Sequence, residues 1–531
     1  MEELAPSHNE GRGRILAIMT AISSSVFLAG LDMTIIATAI PTITGDLHSA
    51  AGYTWIGSAY MIGYAAGSCI WANLSDIWGR RPILLIVVAW FFASSLICAM
   101  AVNISMLIAG RALQGVAGGG LIQLGTIVIS DLFSVRHRSL YLGALEIAWV
   151  VSGGVGPVLG GAFSEHVSWR WCFWINLPIC GVAFVLLLFM NVHNPKTKMV
   201  DGIQAVDWCG IITILGFILM LLLGLDFGGE TFPWGSPTVI CLIIFGFVCF
   251  LAFLGCEKYL AKYPLVPFRA FSHPSNMATL VVLFVHGFVF IAGDYYVPLY
   301  LQSVLEVSPM WSGIYILPSA VTEGVASMLA AVMIRYTGRY EELIWLGLAV
   351  MTLGNGLHIR LDASSTVGEV IAYRVISCVG SGLLFQPPIV AIQARVSQEM
   401  TAMATATAGV VLSLANSCSV VIGGVIFQNS MRRMSSRFLA VGLPESIAAR
   451  LTGGSAAANI QLIQTITDAQ QRQTVKEVFS WSLRNMWIVY TSVSILGMLL
   501  GVLIKKTTLN EGHIETQTGL KREDYVQPSI L

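Results

Sequence analysis

Fourteen stretches of this sequence are apolar over about 18 to 25 residues each, the length an α-helix needs to cross roughly 30 Å of hydrocarbon. They lie near residues 15–40, 54–73, 83–101, 105–129, 140–163, 170–190, 208–225, 237–256, 276–301, 311–333, 342–359, 368–391, 404–427 and 487–504. A chain with 56% hydrophobic and 11% charged residues cannot fold as an ordinary water-soluble protein. The expectation is an all-α polytopic membrane protein with the lipid bilayer as its solvent. A formal net charge of zero argues against nucleic acid as a partner.

Lysine and arginine are retained on the cytoplasmic side of short loops. With the N-terminus inside, 18 of the 29 basic residues fall on inner segments and two, Arg170 and Arg360, on short outer loops. Both termini are therefore expected in the cytosol. The first apolar stretch is long, follows a polar head and carries Asp32, so it reads as a span and not as a cleaved signal. The ten cysteines lie in or beside apolar segments and read as small packing residues, with no disulfide framework or metal site.

Charges inside the spans draw attention because hydrocarbon tolerates them only when they face a bundle interior, a cavity or a partner. The first span carries Asp32 within Leu31-Asp32-Met33-Thr34, and the fourth carries Arg111-Ala112-Leu113-Gln114-Gly115. Arg111 and Gln114 are three apart and share a helix face. Glu146, Gly153, Pro157 and Gly160 fall within about 40° of one line on the fifth span. Residues 153–161 are rich in glycine around Pro157, which makes that line thin and kinked. Between the second and third spans, Asn73–Pro82 reads as a tight charged link with Asp76, Gly79, Arg80 and Arg81.

The spacing then recurs. Asp32 and Arg111 are 79 apart, Asp294 and Arg374 are 80 apart, and Arg111 to Arg374 matches the 263-residue offset from Gly160-Gly161 to Gly423-Gly424. This predicts two related six-helix halves, 15–190 and 276–504, joined by a linker, 191–275, that holds two extra spans. A polar head (1–14), a long outer loop (428–486) and a cytoplasmic tail (505–531) complete the plan. Parallel halves of this kind place a substrate site near the midplane between them.

These elements resemble the fourteen-span drug:proton antiporters of the major facilitator superfamily, in the style of fungal toxin and multidrug efflux pumps. The resemblance rests on Leu74-Ser75-Asp76…Gly79-Arg80-Arg81, the Leu31–Pro41 element, Arg111…Gln114-Gly115, Gly156-Pro157…Gly160-Gly161, Trp169–Pro178 and Gly382–Pro388. Ala72 stands where the family's loop pattern opens with glycine. The resemblance implies alternating access, with protons entering as a small apolar or amphipathic compound leaves, and no cofactor beyond the proton gradient.

On that reading Asp32 and Arg111 are the expected coupling pair, with Glu146 and Asp294 as further proton carriers; the competing reading is a pair that never titrates. Gln114, Gln123, Trp149, Tyr295, Tyr296, Phe385 and Gln386 are the expected substrate contacts, a mix suited to stacking and a few hydrogen bonds. Asp76, Gly79, Arg80 and Arg81 would form an inner gate, and Gly156, Pro157 and Gly160 a flexible helix at the half interface. His286 and Glu323 read as a satisfied core histidine and an interfacial carboxylate.

Asn103-Ile104-Ser105 is a glycosylation sequon on a short outer loop. No phosphate-binding glycine loop, nucleophile set or metal cluster is evident, so an ATP-driven pump and an enzyme are both disfavoured. The alternatives kept open are proton-coupled transport of a dedicated solute, such as a siderophore or basic amino acid at the vacuole, and a non-transporting sensor. The expected setting is the plasma membrane, as a monomer.

Overall fold

The structure, a computed structural model, describes residues 8–47, 52–189, 206–228, 232–260, 273–453 and 456–507. The first seven residues, most of the tail and linker residues 190–205 and 261–272 lie outside it. The polar head, residues 1–14, is described only from His8, where the first helix begins.

The first half contains α1 (His8–Asp46), α2 (Gly52–Trp78), α3 (Arg80–Ala99), α4 (Ile104–Leu132), α5 (Val135–His166), a single turn α6 (Trp171–Trp174) and α7 (Asn176–Leu188). Helices α8 (Trp208–Phe227) and α9 (Pro237–Tyr259) are the inserted pair. The second half contains α10 (Pro274–Ser303), α11 (Pro309–Thr337), α12 (Glu341–His358), α13 (Val367–Phe385), a short α14 (Pro387–Gln393) and α15 (Gln398–Arg433). Two short outer helices follow, α16 (Ser435–Ala440) and α17 (Glu445–Arg450), then α18 (Ala469–Gly501).

Helix starts follow local chemistry. Ser236 and Ser308 cap helices that open on proline, whose missing N–H would have been unpaired there anyway. Thr366 and Glu369 form a reciprocal capping box at α13. Asn103 caps α4, its side chain accepting from the Met106 amide at 2.8 Å, so the sequon asparagine is also a helix cap.

Twelve described helices are long and apolar enough to cross a membrane. The spans expected at 54–73 and 342–359 are present as helices of 27 and 18 residues, α2 and α12. Helix α2 faces α4 across glycines, where a Cβ on Gly63, Gly67, Gly115 or Gly119 would strike backbone of the opposite helix. The second half repeats the device between α12 and α13: a Cβ on Gly354 would meet Ser377 and one on Gly380 would meet Met351.

Helix α5 packs on α1 by the same logic, with Gly156 seated against Thr34 and Gly30 against Ser152. Thr34 Oγ1 donates to the Ser152 carbonyl at 3.1 Å across that contact. Between the halves, α5 faces α11, where Gly143 meets Met328 and Ala331 and Gly324 meets Val150.

The outer segment after α15 folds as a cap on the second half. Phe438, Leu443, Ala448, Leu451 and Ile463 are buried in the same apolar core as α10 and α18. Gly442 and Gly453 turn the chain there with φ of 77° and 63°, a region glycine occupies without strain. Glu306, between α10 and α11, ties the cap's far end down by accepting from Arg472 Nε at 2.5 Å and pairing with Lys476 at 3.3 Å.

Burial alone would raise the Glu306 carboxyl, but the Arg472 and Lys476 partners outweigh it and hold the group below its ordinary 4.5. A lowered carboxylate contributes stability that is complete above the unfolded value and is lost as pH falls through the folded value. Amide exchange in residues 441–453, corrected for its intrinsic pH dependence, is therefore expected to quicken as the outer medium falls below 4.5. Glu306→Gln should quicken it at neutral pH; unchanged protection in that variant would mean the cap holds without this anchor.

Candidate functional site

A cavity of about 2200 Å³ lies between the halves. Its wall includes Gln123 of α4, Glu146 and Trp149 of α5, Phe290 of α10 and Phe385 of α13 at depth. It extends to Glu165 in the last turn of α5 and past the end of α10 to Ser308, Glu445 and Gln461, so the cap lines its outer reach. The volume exceeds the roughly 300–1,000 Å³ typical of a drug-sized site.

Asp32 sits beside this space, sealed from it. Its carboxylate is fully buried and accepts from Arg111 at 2.6 Å, from Gln114 Nε2 at 2.7 Å and from Asn176 Nδ2 at 2.7 Å. Arg111 also donates to Gln114 Oε1 at 2.8 Å and to the Ile56 carbonyl at 3.3 Å, and its guanidinium lies 4.3 Å over the Tyr60 ring. Arg111 and Tyr60 both line the cavity, while Asp32 does not. The arginine thus stands between the carboxylate and the open space. Gln114, expected among the substrate contacts, is buried in this network instead and also donates to Ser95 at 2.8 Å.

The second half builds the equivalent pair differently. Arg374 donates to Asp294 at 2.5 Å, but the Asp294 side chain is 39% exposed and lines the cavity. Ser377 occupies the place equivalent to Gln114 and bonds to Asn355, leaving Asp294 without the amide cage that encloses Asp32. Glu323 lies in the same wall and is buried, which corrects its reading as an interfacial carboxylate. It falls near the middle of α11, whose next residue, Gly324, packs on the first half. Glu146 faces the cavity from α5.

Gln123, Trp149, Tyr295, Tyr296, Phe385 and Gln386 all line the cavity, as does Pro157. Tyr296 is largely committed to structure, its hydroxyl donating to the Val420 carbonyl at 2.5 Å. Gly156 and Gly160 are buried in α5. His286 is not a satisfied core histidine: it lines the cavity, and neither ring nitrogen has a partner with hydrogen-bonding geometry, although the Ser381 backbone lies near.

The charged link between α2 and α3 closes on itself. Gly79 takes φ of 93°, a turn that favours glycine, and delivers Arg80 into a buried pocket. Arg80 pairs with Asp76, donates to Asp131 at 2.7 Å and to Ser75 at 2.6 Å, while Arg81 bonds to the Leu188 carbonyl. All of these partners belong to the first half.

The bonds that cross between halves on this side lie one helix away. Gln393 of α14 accepts from Arg138 at 3.0 Å and donates to Ser130 at 2.8 Å and Thr405 at 2.9 Å. Ser139 donates to the Ala331 carbonyl at 3.2 Å.

Asn176 and Gln393 are among the residues with no role assigned from the sequence. Asn176 stands inside the Trp169–Pro178 element, where a polar residue among aromatics was the available signal. Trp169 and Arg170 of that element both bond to Asp46, fastening the outer end of α1.

Two bundles of helices flank a central cavity, and each carries an Asp–Arg pair, an architecture that membrane transporters share. The chain belongs to the Major Facilitator Superfamily, whose description matches residues 22–427.

Among its relatives, the efflux pump dotC of Dothistroma septosporum is 42% identical over 96% of this chain and 87% of its own. The MFS-type transporter ppz2 of Metarhizium majus is 43% identical over 98% and 89% respectively. The efflux pump FUS6 of Gibberella fujikuroi is 33% identical over 98% and 94%. Of solved structures, the human organic anion transporter MFSD10 superposes with a TM-score of 0.59 at 14% identity, covering 91% of this chain and 99% of that one. That likeness concerns the fold.

Proposed function

We propose that this protein exports small apolar or amphipathic compounds in exchange for protons, by alternating access between its two halves. The observation that carries the reading is the asymmetry of the two Asp–Arg pairs. One carboxylate is sealed behind an arginine that reaches the cavity, and the other already opens to it. Moving the halves would exchange exposure, and a carboxylate's proton affinity changes with its access to water and to its guanidinium.

The efflux names carried by relatives at 32–42% identity support the outward direction. The cavity's aromatics and amides support an apolar or amphipathic cargo. No cofactor is needed beyond the proton gradient. The protein acts as a monomer in the plasma membrane, and fluorescence microscopy of a tagged chain separates that setting from the vacuole.

Inside-out vesicles carrying the protein, with the lumen acidified, should accumulate fluorescent apolar compounds, and collapsing the gradient should release them. Accumulation indifferent to the gradient would end the exchange reading.

A further inference from the structure

The inserted helices α8 and α9 run antiparallel and close together on glycine. An ideal Cβ on Gly224 would lie 3.0 Å from Ile243, one on Gly246 would lie 3.2 Å from the Leu221 amide nitrogen, and one on Gly216 would lie 3.0 Å from Sγ of Cys249. Those contacts fix a register. Two helical turns before Gly216 stands Cys209, and two turns after Cys249 stands Cys256. The same register therefore sets the two cysteines opposite one another, and their side chains interact directly. They lie at the end of the pair that the basic residues around it, Lys196, Lys198, Lys258 and Lys262, assign to the cytoplasmic side. Both are free thiols, Cys209 exposed and Cys256 half-buried.

This end is also the weak point of the pair. An ideal Cβ on Gly210 would lie 2.2 Å from Oδ2 of Asp207 and 3.0 Å from Oε1 of Glu257, so carboxylates from the two sides border one spot. Asp207 uses Oδ1 to accept from the Gly210 amide at 2.9 Å, while its Oδ2, on a residue only 8% exposed, has no partner. Like charges so placed push the helix ends apart, against the glycine contacts that hold the helices together further along. Among the described residues no three metal-ligating side chains converge to hold an ion. The chemistry open to this cluster is that of two facing thiols.

We infer that Cys209 and Cys256 form a reversible disulfide site that staples the inner ends of α8 and α9 in response to hydrogen peroxide. Cys209, the exposed thiol, attacks the O–O bond and becomes a sulfenic acid as one water leaves. Cys256 then attacks that sulfur, which forms the S–S bond and releases a second water. Two thiols are oxidised by two electrons and one peroxide is reduced; a cellular dithiol reverses the step by exchange. Asp207 and Glu257 repel anionic oxidants and work against an anionic sulfur, so the reaction is slow and answers to peroxide in excess. A disulfide that faces a reducing cytosol is of this transient, sensing kind.

Full-length protein in lipid nanodiscs, reduced and then treated with hydrogen peroxide, tests the site. After the remaining thiols are blocked with N-ethylmaleimide, digestion should yield a peptide that joins Cys209 to Cys256, lighter than its two parts by two hydrogens and lost on adding dithiothreitol. Amide exchange at both helix ends, residues 207–212 and 253–259, should slow on oxidation and recover on reduction.

In Cys256→Ser the sulfenic acid has no thiol to meet, so dimedone should label Cys209 there and scarcely in the wild type. Cys209→Ser should abolish the linked peptide. Oxidation of Cys209 to sulfinic acid without the linked peptide, a bond from either residue to a third cysteine such as Cys249, or equal dimedone labelling in wild type and Cys256→Ser would each overturn the site. Abundant linked peptide with unchanged amide exchange would overturn the staple.

Discussion

Asp32→Asn is expected to abolish gradient-driven accumulation and also to destabilise the fold, and the two effects can be separated. In the wild type the buried carboxylate accepts three donors, from Arg111, Gln114 and Asn176. An asparagine presents its own N–H₂ to those donors and leaves the Arg111 guanidinium without a counter-charge. Removing one partner of a buried ion pair costs on the order of 3–5 kcal/mol, because the remaining charge is uncompensated. Arg111 is only 1% exposed, so water does little to solvate the charge left behind and the full range applies here.

The double variant Asp32→Asn with Arg111→Gln removes both charges and should recover most of the lost stability, since neutral replacement of a whole pair is often tolerated. It should not recover transport. Melting temperature and vesicle accumulation, measured on the same two preparations, decide the matter. A stable double variant that still accumulates substrate on a proton gradient would make Asp32 and Arg111 a structural pair and nothing more.

The Asp–Arg pairs were legible because a charge in hydrocarbon must find its partner, and two such charges with repeated spacing leave few arrangements. The 79- and 80-residue separations correspond to contacts of 2.6 and 2.5 Å. What spacing could not reveal was depth. Nothing in the local sequence says that Asp32 is sealed by Gln114 and Asn176 while Asp294 is open, since that depends on which residue a third helix delivers.

The same limit explains His286 and Glu323. A lone polar residue on an apolar helix is usually buried and satisfied, and only the facing helices show that these two border a cavity. The charged link at Asn73–Pro82 was readable as a turn from Gly79 and Pro82, yet its arginine is consumed by Asp76 and Asp131 of its own half. Polar atoms within reach of each other in sequence tend to pair locally. A charged hydrogen bond between halves is made instead by Gln393 and Arg138, separated by 255 residues and without a shared motif.

Gln393→Leu is expected to open the inner side of the protein. Its amide spans the halves, taking a hydrogen bond from Arg138 and giving one to Ser130, and each of the three side chains is at most 2% exposed. A hydrogen bond to a charged group contributes about 1.5–3 kcal/mol and a neutral one about 0.5–1.5 kcal/mol. Losing both removes roughly 2–4 kcal/mol from the state in which this side is closed, a shift of about 30- to 1,000-fold between closed and open populations.

The leucine leaves Arg138 buried and still donating to the Phe133 carbonyl at 3.1 Å, so the first half keeps its fold and the loss falls on the interface. Leu142 lines the inner part of the cavity and is 3% exposed, which makes a cysteine there a reporter of access. In a background without the native cysteines, Leu142→Cys should react slowly with a membrane-impermeant thiol reagent applied to the cytoplasmic face. Adding Gln393→Leu should raise that rate at least about tenfold, the effect of 1.4 kcal/mol. Unchanged reactivity would mean that helix packing at Gly143 and Ala331 closes this side unaided, with the polar bonds incidental to it.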